Sequence, residues 1–251
     1  MTVFFIGAGP GAADLITVRG QRLLQRCPVC LYAGSIMPSD LLEFCPSDAR
    51  IVDTGPLTLQ EIVDELAAAD AAGHDVARLH SGDPSIYSAV AEQRRRLDEL
   101  GIDSEIVPGV PAFAAAAAAL GRELTVPGVS QTVTLTRVAT LSTAMPEGES
   151  LTARAASGGT LVIHLAAHRI DQIVPELLAG GYRSTTPVAV VAFASWPQQV
   201  VLRGTLADIA EQMQQESITR TAVIIVGDVL AAEGFTDSYL YSSGRARGTR
   251  H

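Results

Sequence analysis

Residues 1–17 read MTVFFIGAGPGAADLIT, and the apolar run VFFI leads directly into a turn with glycines at Gly7, Gly9 and Gly11. A short apolar run that ends in glycines is typical of a buried strand followed by a loop that can approach a ligand closely. The stretch therefore predicts an α/β fold that begins with a strand. It also raises the question of a nucleotide-binding loop, because the spacing of its glycines resembles a phosphate-binding turn.

The first half of the chain continues this alternation of strand and helix. Further apolar runs occur as VCLY (29–32), RIV (50–52), VARL (76–79) and SEIV (104–107). Between them the patterns predict helices over 17–26, over a short stretch from Ser39, over 58–72 and over 85–100. Thr58 and Glu61 have the spacing of a capping box. Alternation of this kind predicts a parallel sheet covered by helices on both faces.

The second half has a different rhythm. The runs TLVIHL, TTPVAVVAFA, QQVVLR and TAVIIVG are apolar, and QQVVLR follows AVVAFA after only SWP, which predicts a hairpin. The second sheet should therefore be mixed. We predict two α/β domains, an N-terminal one over 1–112 and a C-terminal one over 113–240. The small, polar and basic tail 241–251 is expected to be disordered.

Composition excludes several classes of protein. The net charge of −9 argues against nonspecific nucleic-acid binding, which needs a basic face. No apolar run approaches the ~20 residues of a membrane span and the N-terminus has no signal-peptide pattern, so a cytoplasmic protein is expected. The cysteines Cys27, Cys30 and Cys45 are too few for a disulfide framework, and Cys27 and Cys30 are predicted to be buried. No metal site is expected. All 18 basic residues are arginine, which suits genomic base composition and also a ligand rich in carboxylates.

Three turns that combine glycine with proline follow strands of the first sheet. They are GAGPG (7–11), HSGDPSIY (80–87) and PGVPAF (108–113). The carboxyl ends of neighbouring parallel strands lie at one edge of a sheet, which is where ligands bind in such folds. The three turns therefore predict a shared ligand site.

A dinucleotide site does not fit this edge. Gly7, Gly9 and Ala12 satisfy the G-x-G-x-x-A spacing, but the second strand ends at Tyr32-Ala33 without the carboxylate that holds the ribose. Pro10 also removes a backbone N–H from the loop. Nucleophilic hydrolysis is equally disfavoured, because there is no G-x-S-x-G elbow. His80 and His164 are interpreted as mainly structural.

The ordered motifs identify a family. GAGPG with DLIT (14–17), GDP (82–84), PGV (108–110), TPVAVV (186–191), SWP, RGTL (203–206) and IIVG (224–227) together resemble the tetrapyrrole (corrin/porphyrin) methyltransferases. The strings LYAGSIM (31–37), HSGDPSIY, RELTVPGVSQTVTLTR (122–137) and FASWPQQ (193–199) resemble one member that methylates a corrin precursor. The resemblance covers residues 2 to about 230. It implies two α/β domains, a homodimer, S-adenosylmethionine in the cleft between the domains and a tetrapyrrole beside it.

The resemblance also implies site residues. Those matching the family's cofactor positions are Gly82, Asp83, Ile86, Tyr87, Pro111, Ala112, Leu165, Ala194, Thr221 and Ala222. For the tetrapyrrole the matching or candidate residues are Pro10, Ser35, Arg122, Glu123 and Arg137. Asp83, which precedes Pro84, is also placed to cap the N-terminus of the following helix. No catalytic side chain is assigned.

Alternatives remain open at this stage. Within the same class, the enzyme could act at another ring position or on a cobalt-containing substrate. From other classes, a dinucleotide oxidoreductase would bind NAD(H), and a tetrapyrrole carrier would bind its ligand without needing S-adenosylmethionine.

Overall fold

The computed structural model describes residues 1–34, 37–139 and 144–238. The chain packs as two compact units. The first comprises Met1–Ala115 together with Phe193–Gln198, and the second comprises Ala116–Ala192 and the chain from Gln199 onward. The domain limits expected from the sequence stay a prediction, and the tail 241–251 lies outside the described residues.

The first unit is built on a parallel sheet, as predicted. Its strands are β1 (Thr2–Gly7), β2 (Val29–Tyr32), β3 (Arg50–Asp53), β4 (Val76–His80) and β5 (Asp103–Val107). They lie in the order β3-β2-β4-β1-β5, and each neighbouring pair is parallel. This order places β1 between β4 and β5, so the loops that follow these three strands leave the same edge.

Apolar side chains cover both faces of this sheet. On one face Ile6 packs in a cluster with Leu24 and Leu41, and on the other Phe5 packs with Leu66 and Leu97. All six side chains are fully buried, and burial of each such residue stabilises the fold by about 1.5–3 kcal/mol. Burial on both faces explains why β1 and β2 read as continuous apolar runs.

The helices of the first unit agree with the sequence prediction except at one boundary. They are α1 (Val18–Leu24), α2 (Leu59–Ala71) and α3 (Val90–Glu99), with a 3-10 helix over Ser39–Phe44. A further helix, α4 (Ala112–Leu120), begins in the first unit and ends in the second. The predicted capping box of α2 is confirmed: the Thr58 N–H donates to Glu61 Oε2 (2.7 Å), and the Glu61 N–H donates to Thr58 Oγ1 (3.3 Å). The prediction that a helix starts at Ser85 is wrong, because α3 begins at Val90.

The second unit contains the mixed sheet that the sequence predicts. Its strands are β6 (Val133–Arg137), β7 (Thr160–His164), β8 (Pro187–Ala192), β9 (Val200–Thr205) and β10 (Ala222–Val226). In the order β6-β7-β10-β8-β9, β6 and β7 are parallel and the other pairs are antiparallel. The β8–β9 pair confirms the predicted hairpin. The helices are α5 (Leu151–Ala156), α6 (Ile170–Ala179) and α7 (Ile209–Gln215).

The sequence also predicts that two cysteines are buried. Cys27 and Cys30 are fully buried in the cluster around Leu24 and Leu41, which confirms their packing role. Burial is the main reason that the pKa of Cys27 is raised to about 12, so its thiol stays protonated at neutral pH.

Among the described residues, no helix combines the length and the apolar character that a membrane crossing needs.

Candidate active site at the edge of the first sheet

Three loops meet in backbone contact at the carboxyl edge of the first sheet. The glycine loop (Gly7–Ala12) follows β1, and its Gly9 exchanges two hydrogen bonds with Gly82, at 2.8 and 3.2 Å. A Cβ atom on Gly109, after β5, would lie 2.2 Å from the Gly82 carbonyl oxygen and 2.6 Å from the Cα of Gly7. The loops are therefore closer than a side chain on Gly7 or Gly109 would allow, which explains glycine at these two strand ends.

Asp83 joins two of these loops. Its Oδ2 accepts a hydrogen bond from the Gly109 N–H (2.8 Å), and its Oδ1 accepts one from the Ser85 N–H (2.8 Å) and a short one from the Ser85 hydroxyl. Burial by itself raises the pKa of Asp83, but the hydrogen bonds from Ser85 and Gly109 together lower it below its usual value. The carboxylate thus ties the turn after β4 to the turn after β5.

The residues after Asp83 form a turn rather than the predicted helix. Tyr87 and Ala89 both have left-handed backbones, with φ of 53°, a conformation that an α-helix does not accept. Ala89 is the residue at the N-cap of α3 and provides no side-chain cap, so the prediction that Asp83 caps a helix is wrong. The turn leaves the Tyr87 side chain 44% exposed. We call Ser81–Ser88 the aspartate turn.

The first turn of α4 lies beside Gly82. A Cβ atom on Gly82 would be 3.7 Å from the Cα of Pro111 and 3.7 Å from the backbone nitrogen of Ala112. Gly82 has a φ of +68°, which glycine adopts without strain. The structure therefore brings together Gly82, Asp83, Pro111 and Ala112, all four of which the sequence resemblance selected.

A buried polar group lies beneath this edge on β4. Arg78 is 5% exposed and donates to Gln93 Oε1 (3.2 Å) and Thr54 Oγ1 (3.0 Å). His80 is 7% exposed, and its Nε2 atom has no hydrogen-bond partner among the described residues. Burial, with the charge of Arg78 as the second cause, lowers the pKa of His80 to about 3. His80 is therefore neutral at physiological pH, in keeping with a structural role.

The predicted residues of the second unit also share one edge. Leu165 directly follows β7 and is 57% exposed, and Thr221 directly precedes β10, which pairs with β7 in antiparallel register. Leu165 (φ 56°) and Thr221 (φ 51°) both have left-handed backbones. Ala222 pairs with Ala192, the last residue of β8. Strained non-glycine residues of this kind concentrate at ligand sites.

Ala194 lies in the segment Phe193–Gln198, which we call the tryptophan segment and which packs with the first unit. It stands between Phe193 (φ 50°) and Ser195 (φ 68°), both left-handed. The segment lies within the family motif FASWPQQ (193–199), but the resemblance implies no role for Ser195 or Trp196. Trp196 is the only tryptophan of the chain, and its Nε1–H donates to the carbonyl oxygen of Pro10 (3.0 Å).

The predicted tetrapyrrole residues are more dispersed. One guanidinium N–H of Arg122 donates to the Ala232 carbonyl (3.1 Å), and Arg137 donates to the Val138 carbonyl (3.0 Å). Glu123 accepts from the Thr125 hydroxyl (3.1 Å). Ser35 lies outside the described residues.

The second buried histidine is His164, at the end of β7. Burial lowers its pKa to about 4, so His164, like His80, is neutral at physiological pH.

Comparisons with known proteins place this geometry in a family. Residues 2–210 match the model of the tetrapyrrole (corrin/porphyrin) methylases. The chain is 79% identical to the precorrin-4 C(11)-methyltransferase of Mycobacterium tuberculosis, over 98% of each chain.

Solved structures agree with the sequence match. A cobalt precorrin-4 methyltransferase of cobalamin biosynthesis superposes with a TM-score of 0.89 at 39% identity, covering 91% of this chain and 95% of that one. The uroporphyrin-III C-methyltransferase of Thermus thermophilus complexed with S-adenosylhomocysteine superposes with a TM-score of 0.78 at 28% identity, covering 92% and 93%. The chain belongs to the tetrapyrrole (corrin/porphyrin) methylase family.

Proposed function

We propose that the protein transfers the methyl group of S-adenosylmethionine to C-11 of precorrin-4, giving precorrin-5 in cobalamin biosynthesis. The observation that carries this proposal is the end-to-end identity of 79% with a precorrin-4 C(11)-methyltransferase. A cobalt-precorrin-4 C(11)-methyltransferase is 47% identical over 95% of this chain, and the solved cobalt precorrin-4 enzyme is 39% identical. This difference favours the metal-free substrate over the cobalt-containing one.

The residues at the two sheet edges fit S-adenosylmethionine. On the first unit, Gly82 offers backbone without a side chain and Tyr87 offers a partly exposed aromatic ring. On the second, the left-handed positions at Leu165 and Thr221 suit residues whose backbone approaches a ligand. We propose the following set as cofactor-binding: Gly82, Asp83, Ile86, Tyr87, Pro111, Ala112, Leu165, Ala194, Thr221 and Ala222.

The cofactor supplies a sulfonium whose methyl group is already activated, so the protein's contribution is orientation and the exclusion of water. The accepting carbon becomes quaternary and loses no hydrogen, so the reaction does not need a strong base at that carbon. The buried histidines agree with this requirement, because burial keeps both His80 and His164 neutral through lowered pKa values. Alignment of the reacting groups can contribute roughly 7–11 kcal/mol, and the rigid backbone contacts around Gly82 are suited to provide it.

For the tetrapyrrole we propose Pro10 as part of the binding wall. Arg122 and Arg137 would bind its carboxylates, since the guanidinium fork matches a carboxylate in geometry and charge. Glu123 and Ser35 are proposed as polar partners of the ring nitrogens. An arginine-to-methionine change at either position should raise the KM for the tetrapyrrole and leave cofactor affinity unchanged.

We also propose that the protein is a homodimer and works in the cytoplasm. Light scattering coupled to size-exclusion chromatography measures the oligomeric state directly. A monomer at the working concentration of the enzyme would contradict the dimer. Fractionation of expressing cells tests the location.

The decisive experiment uses S-adenosylmethionine labelled with ¹³C in its methyl group. The protein is incubated with this donor and either metal-free or cobalt precorrin-4, and the label is located by NMR. We expect label at C-11 of the metal-free substrate. Label at another ring carbon, or faster turnover of the cobalt form, would contradict the assignment of position or of substrate. Tetrapyrrole binding without any label transfer would indicate a carrier.

A further inference from the structure

The tryptophan segment has a shape that its place in the chain does not require. It joins β8 to β9, an antiparallel pair that a two-residue turn could connect. Instead Phe193 and Ser195 adopt left-handed backbones, and the backbone N–H of Trp196 donates to the Phe193 carbonyl (2.9 Å). Left-handed non-glycine residues are unfavourable and persist only where the surroundings fix them. The contacts of Ser195 and Trp196 show what fixes them here.

Both side chains hold the glycine loop. The Trp196 Nε1–H donates to the Pro10 carbonyl (3.0 Å), and the Ala12 N–H donates to the Ser195 hydroxyl (2.9 Å). Between these bonds the indole lies against Gly11, where a Cβ atom would be 2.2 Å from the ring carbon Cδ1 and 2.4 Å from Nε1. Three consecutive residues of the loop are therefore held by two residues of the segment.

The opposite side of the same loop is bonded to the aspartate turn. The Gly9 N–H donates to the Gly82 carbonyl (3.2 Å), and the Gly82 N–H donates to the Gly9 carbonyl (2.8 Å). The glycine loop is thus clamped between the tryptophan segment and the turn that carries Asp83. Without the tryptophan segment the loop keeps its two bonds to Gly82 but loses the contacts that fix Pro10, Gly11 and Ala12.

We propose that Trp196, assisted by Ser195, is a positioning residue of the methyl-transfer site that locks the glycine loop against the aspartate turn. The inference rests on the proposed function for its consequence in turnover, but the lock itself is a property of the backbone contacts. Trp196 acts through Pro10. Its loss should therefore weaken productive binding of the tetrapyrrole more than binding of the cofactor.

The first test replaces Trp196 by phenylalanine, which keeps an aromatic ring over Gly11 and removes the N–H donor. The KM for precorrin-4 should rise about tenfold, the effect of losing one hydrogen bond of about 1.4 kcal/mol. Calorimetry should give an S-adenosylhomocysteine Kd within twofold of wild type. Phe235→Leu, a change at an exposed aromatic residue of the second unit (48% exposed), is the matched control and should leave both values unchanged.

A second variant tests the contact from the other side. Gly11→Ala must displace the indole, so the fluorescence of the only tryptophan should shift to longer wavelength. Its KM for precorrin-4 should rise as in Trp196→Phe, and the double variant should show less than the product of the two single effects, because both act on one contact.

Three outcomes would overturn the proposal: an unchanged KM in folded Trp196→Phe, effects that multiply in the double variant, or a loss of cofactor affinity and urea stability in parallel with the rise in KM. Amide hydrogen exchange separates this failure from failure of the proposed function. If the wild-type protein makes no product, faster exchange confined to the amides of Gly9, Ala12 and Gly82 in Trp196→Phe still supports the lock. Unchanged exchange at those amides refutes it.

Discussion

Asp83 allows the candidate site to be tested by a single change of one atom. Its two carboxylate oxygens accept hydrogen bonds from the backbone N–H groups of Ser85 and Gly109, each at 2.8 Å. In Asp83→Asn one oxygen becomes an NH2 group, which must face one of these N–H donors. A charge-assisted hydrogen bond is worth about 1.5–3 kcal/mol, and because Asp83 is partly exposed we expect a loss of about 1–2 kcal/mol in the free energy of unfolding.

The effect on ligand binding should be larger than this loss of stability suggests. Releasing Gly109 from Asp83 loosens the loop after β5 at the edge where Pro111 and Ala112 lie. We expect the Kd of S-adenosylhomocysteine, measured by calorimetry, to rise at least tenfold, that is by about 1.4 kcal/mol or more. Urea unfolding followed by circular dichroism measures the change in stability in parallel.

Asp53 provides a matched control for this prediction. Its carboxylate also accepts from two backbone N–H groups, those of Gly34 (2.9 Å) and Gly55 (2.8 Å), at the end of the edge strand β3. Both N–H groups donate to Oδ1, so in Asp53→Asn the amide oxygen can keep both bonds. This variant therefore controls for the loss of a carboxylate charge without touching the aspartate turn, and the Kd should stay within twofold of wild type. If Asp83→Asn binds S-adenosylhomocysteine as wild type does, or if both variants weaken it equally, the assignment of Asp83 to the ligand edge is refuted.

Three further predictions concern stability, packing and thiol reactivity. Burial lowers the pKa of His80 from 6.5 to about 3, so the unfolded chain binds a proton that the folded one does not. This contribution is then complete above pH 6.5 and falls by about 1.4 kcal/mol per pH unit below it, and His164, whose pKa burial lowers to about 4, adds an equal slope between pH 6.5 and 4; urea titrations at pH 7 and 5 should show the sum of the two slopes, and His80→Gln should halve it. Gly109→Ala should cost about 3 kcal/mol or more in urea unfolding because its Cβ meets backbone at 2.2 Å. Gly101→Ala, with nothing within 4 Å but a φ of +71°, should cost only about 1 kcal/mol, and equal costs would contradict the steric argument. Cys45, whose pKa is lowered mainly by a hydrogen bond from a neighbouring thiol, should react with iodoacetamide before Cys27, and mass spectrometry of the digested protein should find label on Cys45 first.

The sequence predicted the sheets well because their information is local. VFFI is apolar on both faces, VARL is apolar except at Arg78, and each is followed by a glycine turn, so strand type and the shared edge of β1 and β4 could be read directly. The start of α3 at Val90 could not be predicted from the sequence. Nothing in PSIYSAV shows that Tyr87 and Ala89 adopt left-handed backbones, because contacts made after folding, such as Asp83 with Gly109, decide that conformation. Local preference alone would continue the helix to Ser85.

Only part of the candidate site could be predicted from the sequence, for the same reason. The family resemblance selected Gly82, Asp83, Pro111 and Ala112, and the structure brings these together. It gave no role to Trp196, because the partner of its N–H, the Pro10 carbonyl, lies 186 residues away and a carbonyl leaves no mark in the sequence. The one available signal is Gly11. It has no left-handed backbone to explain it, and its absent Cβ is explained by the tryptophan segment, whose indole would lie within 2.5 Å and whose Ala194 carbonyl would lie at 2.9 Å.

The chemistry of the reaction explains why some site residues can be predicted from the sequence and others cannot. A reaction that needs a proton moved concentrates titratable side chains, and these can be found by residue type. Methyl transfer from an activated donor needs alignment instead, and at this edge the backbones of Gly7 and Gly109 approach each other and the Gly82 carbonyl closer than a Cβ would permit. The residues that matter most at this edge are therefore those whose side chain is missing. Adding one methyl group at Gly109 should damage the site more than removing the buried, neutral imidazole of His80 at the end of β4.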